Sequence, residues 1–104
     1  MKIIKIIDSP KPTKRFRAII DDGSHLEKHI DFGLKNPKNG TYIDHGDKVK
    51  RLNYWLRHLN NPLEKDRLFN LEMSPALLSA RLLWGRTTDL KTNLKELNKL
   101  LELI

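Results

Sequence analysis

The apolar residues of this chain alternate with polar ones up to about Phe32, and recur at helical spacing from Val49 onward. A period of two belongs to a half-buried strand, and a period of 3.6 to an amphipathic helix. Strands are therefore laid down first and helices afterwards, which is the pattern of an α+β fold. We expect a three-stranded antiparallel sheet over 1–34, followed by three main helices, at 47–60, 75–84 and 88–103, covering one face of it.

Ile3, Ile4, Ile6 and Ile7 form a β-branched run that Ser9-Pro10-Lys11-Pro12 breaks, because proline cannot donate to a strand ladder. Phe16, Ala18 and Ile20 then alternate with Arg15, Arg17 and Ile19, and Asp21-Asp22-Gly23-Ser24 signals a hairpin turn. Opposed residues share a face, so a slip of one residue would turn Phe16 and Ile20 onto a polar surface. A three-residue loop from Asp22 to Ser24 avoids that slip. It sets Ile20 opposite Leu26, Phe16 opposite Ile30, Arg17 opposite His29 and Arg15 opposite Asp31.

Residues 35–46 carry several turn formers, Asn36-Pro37 among them, and read as irregular. Asp47 is placed to cap a helix whose apolar stripe is Val49, Leu52, Trp55, Leu56 and Leu59. Lys50, Arg51, Tyr54, Arg57 and His58 lie off that stripe. Asn60-Asn61-Pro62 stops the helix, and 63–73 reads at most as one short helical turn. Ser74-Pro75 opens the next helix as N-cap and first-turn proline, with Gly85 as its C-cap. Thr87 or Thr88 starts the last helix, on which Leu90, Leu94, Leu97 and Leu101 form a stripe widened by Leu100, Leu103 and Ile104.

The 104 residues fit one small domain with a thin core. No apolar run approaches the ~20 residues of a membrane span, and the isoleucine-rich start has neither the length nor the cleavage site of a signal peptide. Cysteine is absent, which excludes disulfide frameworks and thiolate metal sites and suits a reducing compartment. Twenty Lys and Arg against 13 Asp and Glu leave a net charge of +7. That excess favours polyanionic partners: nucleic acid, anionic lipid or an acidic protein surface.

The densest chemistry lies between His29 and His58. His29, Asp31, Tyr42, Asp44 and His45 are candidates for a functional loop. Metal or hydrolytic chemistry would need His29, Asp31, Asp44, His45 and His58 to converge, as in a small metal-dependent nuclease. Their spacing matches no metal motif, and Asp44 and His45, if extended, point apart. The plainer reading pairs Asp31 with Arg15, caps a helix with Asp47, lets Asp44 or His45 organise the loop, and sets His58 at a helix C-terminus. No cofactor and no bound metal is expected, and the few glycines between Gly33 and Gly46 form no phosphate-binding loop. For nucleic-acid binding the candidates are Arg15, Arg17, Lys48, Lys50, Arg51, Tyr54, Arg57 and His58, with Lys11, Lys14, Lys35 and Lys38 adding charge nearby. Phosphate contacts need this kind of distribution but carry no sequence information.

The ordered set Lys14-Arg15-Phe16-Arg17-Ala18, His29-Ile30-Asp31-Phe32-Gly33, Thr41-Tyr42-Ile43-Asp44-His45, Asp47 with Lys50-Arg51, Tyr54 with Arg57-His58, Ser74-Pro75, Leu78-Ser79 and Leu82-Leu83-Trp84-Gly85 resembles a family. It is a domain-of-unknown-function family of short basic proteins encoded by nucleocytoplasmic large DNA viruses. The stretch 59–73 departs from its pattern. The resemblance implies a viral origin and a place in the virion; together with the missing cysteine and signal peptide, it sets the expected location as the virion and the host cell interior, not secretion. It brings no activity and no catalytic residues. The expected function is that of a non-enzymatic, virion-associated protein, a minor capsid or genome-binding component. It would attach electrostatically to nucleic acid or to other virion proteins; the alternative is the metal-dependent nuclease.

Overall fold

The alternation in the first third of the chain builds a sheet of order β1-β2-β3, with every neighbouring pair antiparallel. In this computed structural model, which describes residues 1–24, 26–35 and 38–103, β1 is Lys2–Asp8, β2 Lys14–Asp21 and β3 Glu27–Leu34. The turn formers Asn36 and Pro37, and Ile104 of the last stripe, lie outside the described residues, as does His25. Five α-helices follow: α1 Tyr42–His45, α2 Lys48–Leu59, α3 Pro62–Phe69, α4 Pro75–Leu78 and α5 Leu90–Glu102. Among the described residues no helix is long and apolar enough to cross a membrane.

The β2–β3 hairpin keeps the expected faces but slides by two residues. Phe16 faces Phe32, Arg17 faces Asp31 and Ile20 faces Lys28, rather than Ile30, His29 and Leu26. A two-residue slide preserves which side chains point inward, so alternation alone cannot detect it. The longer turn is held locally. Gly23 N–H donates to Asp21 Oδ1 at 2.9 Å, and Ser24 N–H to Asp22 Oδ1 at 3.0 Å. In return the slide pairs the Phe16 and Phe32 rings at 5.9 Å and leaves Leu26 exposed in the turn.

Ile3, Ala18, Ile20 and Phe32 on the sheet pack with Leu78, Leu82, Leu83, Leu97 and Leu101 to form the main core. The leucine stripe of α5 therefore docks in cis, with Leu97 and Leu101 buried and Leu90 and Leu94 against them, while Leu103 stays exposed. Asn98 on α5 pins the bulged start of β1, accepting from Ile3 N–H at 2.9 Å and donating to Ile3 O at 3.0 Å.

Pro75 and its N-cap Ser74 start α4 as expected, but the helix continues as a π-helical turn over Ser79–Leu83. Gly85 is not a left-handed cap. It is glycine for space, because a Cβ there would lie 2.3 Å from Arg81 O and 2.8 Å from Asn93 Cγ. Buried Asn93 fills that approach. It donates to Leu82 O (3.0 Å) and Thr87 O (2.8 Å), and accepts from Thr87 N–H (3.1 Å) and Thr87 Oγ1 (2.8 Å). The last helix is capped by Asp89 rather than by a threonine.

Two segments exceed expectation. The stretch after Asn61 forms two turns of helix, α3, capped by the Asn61 side chain; Leu68 from it joins Leu77 and Ala80 in a second core. The loop before Asp47 contains α1, in which Thr41 N–H and Oγ1 both donate to Asp44 Oδ2 at 2.8 Å.

The largest correction concerns α2. Asp47 caps it as expected, accepting from Val49 and Lys50 N–H. Trp55 and Leu59 of the expected stripe do pack inward, but Arg51, Tyr54 and His58 share that inward face, while Val49, Leu52 and Leu56 are 67%, 57% and 51% exposed. The helix also packs mainly on α1 and α3 and around Trp84 rather than joining α5 and α4 on the sheet. The cause is the carbonyl end of the π-helical turn, which needs donors. Trp55 Nε1 donates to Trp84 O at 2.8 Å, and Arg51 Nε donates to Gly85 O at 2.7 Å. Tyr54 stacks on Trp84 with centroids 4.5 Å apart and planes at 5°. The leucines alone satisfy none of those carbonyls.

Candidate functional site

The rotation of α2 decides which of its charges reach solvent. Lys50, Asn53, Arg57 and Asn60 recur at helical spacing along one exposed edge, and this edge forms one wall of an open groove of about 730 Å³. Lys38, Asn39 and Gly40 from the loop before α1 form the opposite wall, and His45 and Trp84 also line the groove. Gly40 has φ +72°, and a side chain there would meet Asp44 Cβ at 3.3 Å, so the loop's approach to α1 depends on glycine. Among the described residues no carboxylate lines the groove, and Lys38, Lys50 and Arg57 have no acidic partner.

The other candidates are distributed differently. Arg15 is committed to Asp44 through two bonds, of 2.8 and 2.7 Å, and Arg17 to Asp31 through two of 2.9 and 3.2 Å. These two arginines neutralise carboxylates rather than face a ligand. The expected Arg15–Asp31 pair is replaced because the two-residue slide sets Arg17 opposite Asp31 and leaves Arg15 to reach α1. Asp31 also accepts from Ser9 Oγ at 2.9 Å and meets Lys11 at 3.3 Å. The hydrogen bond from Arg17, aided by those from Ser9 and Lys11, holds its carboxyl well below the usual range against the opposing effect of burial. Arg15, followed by Thr41, does the same for Asp44.

Arg51, Tyr54 and His58 do not line this groove. Arg51 is tied to the π-helical turn and lies 5.7 Å from the ring of buried Tyr42. Burial raises the pKa of Tyr54, which is sealed against Trp84. His58 pairs with Glu64 on α3. Lys48 is exposed, as expected. His29 is exposed on β3 beside Glu27, at 3.7 Å. His45 accepts from Asp47 N–H through Nδ1 at 2.8 Å, which assigns the ring proton to Nε2 in the neutral form.

His29, Asp31, Asp44 and His58 are thus each engaged by a different charged partner, and His45 by the Asp47 amide, rather than converging on one point. Among the described residues no group of three or more histidine and carboxylate side chains is placed to hold a metal ion. What the structure assembles instead is a cationic, amide-rich groove on an aromatic floor, suited to electrostatic contact with phosphates. Asn53, Asn60 and the groove role of Trp84 were not anticipated. The spacing of Lys50, Asn53, Arg57 and Asn60 carried the signal for the first two; nothing in the sequence marked Trp84, which is mostly buried, as lining a groove.

No curated protein and no solved structure matches the chain. A family of unknown function, DUF5754, matches residues 4–58, a stretch that runs from β1 through nearly all of α2 and holds most of the groove but not Asn60 or Trp84. The chain therefore belongs to the DUF5754 family.

Proposed function

We propose that this protein works without catalysis of its own, as an attachment protein that binds nucleic acid through the phosphate backbone. The groove carries the reading: among the described residues it presents three cations without acidic partners, three amides and no carboxylate along one open channel. Lysine and arginine there neutralise phosphates and release counterions, while the asparagines donate to phosphate oxygens. Trp84 offers limited aromatic surface, since Tyr54 already covers one of its faces. Binding is therefore driven by the backbone and is indifferent to sequence. The resemblance to short basic proteins of nucleocytoplasmic large DNA viruses supports a viral origin and a place in the virion, on the packaged genome.

The test is fluorescence anisotropy on random duplex and single-stranded DNA across a salt series. Affinity should fall steeply with salt. Replacing Lys38, Lys50 and Arg57 with alanine together should flatten the log–log slope on duplex by about 2.7, three phosphates at 0.9 each. A flat wild-type response, or an unchanged slope in the triple variant, overturns the reading.

The exposed ridge of Val49, Leu52 and Leu56 beside this groove favours a second reading, attachment to another virion protein. Solvent-facing aliphatic residues in a row mark contact surfaces more often than isolated ones do. Proteomics of purified particles, with cross-linking from α2, distinguishes the two: cross-links to one capsid component and none to the genome would favour the ridge.

A further inference from the structure

A second cavity, of about 400 Å³, lies on the other side of α2 from the groove. Its charged lining is Arg51, Arg81, Arg86, Lys99 and a single carboxylate, Glu96, and Trp55 forms part of its wall. Glu96 is already committed, accepting from Arg86 Nε at 2.8 Å. Arg51 spends its Nε on the carbonyls of Trp84 and Gly85, and among the described residues its two terminal nitrogens have no hydrogen-bond partner. Arg81 is less satisfied still: among the described residues its Nε is buried without a partner, and no carboxylate pairs with it.

Both guanidinium groups stand against the same indole, Arg81 at 5.4 Å and Arg51 at 6.0 Å from the Trp55 ring. Cation–π attraction offsets part of the cost of withdrawing these charges from water. It supplies no acceptor for the in-plane N–H groups, and it cannot relieve the repulsion between two like charges. Burial first, and then the charge of Arg51, lowers the pKa of Arg81, which is the expected signature of a cation lacking an anion. A planar fork of N–H donors matches the oxygens of a phosphate, and two unpaired cations match the nearly double charge of a phosphate monoester.

We propose that this cavity is a phosphate site for inorganic phosphate or a phosphate monoester, in which Arg51 and Arg81 grip the phosphate beside the Trp55 ring. It is independent of the groove, which lies on the opposite edge of α2 and shares no lining residue with it. The phosphate could come from free inorganic phosphate or from a nucleoside monophosphate, and both are tested.

Isothermal titration of the full chain with inorganic phosphate and, separately, with adenosine monophosphate, at constant ionic strength set by chloride, should show saturable one-to-one binding. Tighter binding of the nucleotide assigns the site to nucleotides, whereas equal or weaker binding assigns it to inorganic phosphate. Arg81→Met should weaken binding by about tenfold or more, the loss of one charged hydrogen bond. Arg81→Lys keeps the charge without the fork and should fall in between. Should Arg81→Met fail to fold, the wild-type melting temperature provides the test: phosphate raises it to a plateau that chloride does not reproduce. Absence of binding at millimolar phosphate, undiminished binding in folded Arg81→Met, or loss of phosphate binding in the Lys38, Lys50 and Arg57 triple variant overturns the proposal.

Discussion

Replacing Leu52 and Leu56 together with alanine tests the rotation of α2, on which both the groove and the arginine cavity depend. The two leucines are 57% and 51% exposed, so only about half of each side chain leaves water on folding. Full burial of a leucine is worth about 1.5–3 kcal/mol, which makes each truncation cost about 1 kcal/mol here. Alanine's higher helix propensity returns a few tenths of a kcal/mol at each site. The double variant should therefore lose about 1–2 kcal/mol. Had the aliphatic stripe faced the core, each change would cost about 2–5 kcal/mol, and the pair would consume most of the ~5–15 kcal/mol that holds a domain together. Trp55→Ala should behave in the opposite way. It removes the bond to Trp84 O and the indole between Arg51 and Arg81, at a cost of about 3–5 kcal/mol. Urea unfolding followed by far-UV circular dichroism reads both without relying on the lost fluorophore, provided the denaturant slopes agree. A double-alanine variant that loses more than about 4 kcal/mol, or one that proves costlier than Trp55→Ala, would refute the arrangement.

Asn93→Ala leaves the buried Leu82 carbonyl and three groups of Thr87 without their partners, and should cost about 3 kcal/mol, a fall in Tm of roughly 15 °C by calorimetry. Gly85→Ala should be worse, because its Cβ would press on the Arg81 carbonyl, a backbone atom with no room to retreat; the same thermal scan checks the order. Asp31 and Asp44 both have lowered folded-state pKa values, so their contribution is fully present above the unfolded value of about 4 and is lost as pH falls through the folded values. Unfolding midpoints should decline from about pH 4 downward, and Asp31→Asn should show a shallower acid decline than wild type. Gly33 has φ +75°, and Gly33→Ala should cost about 1–2 kcal/mol in urea titration, since a Cβ disfavours that region.

The caps show how far local chemistry is legible. Asp47, Asn61, Ser74 and Asp89 each accept a hydrogen bond at the start of a helix, and for Asp47 and Ser74 the neighbouring residues announced it. Asn61-Pro62 carries the same signal, yet the apolar residues after it form no long stripe, so the sequence predicts at most one short helical turn there. The Arg15–Asp31 pair failed for a different reason: faces repeat every two residues along a strand, so a slide by two is invisible to alternation and is settled by the turn and by Phe16 meeting Phe32.

Periodicity alone determined the class of fold, the order of strands before helices and the inward stripe of α5. Those properties depend on which residues are neighbours along the chain. Tertiary structure decided which face of α2 turns inward, and with it the groove and the arginine cavity. That choice belongs to a distant partner, the carbonyl end of the π-helical turn at Trp84 and Gly85, whose unmet acceptors are satisfied by the donors of Arg51 and Trp55 rather than by the leucines. Hydrophobic burial has no direction, whereas a hydrogen bond demands its partner, and here the directional demand outweighs the stripe.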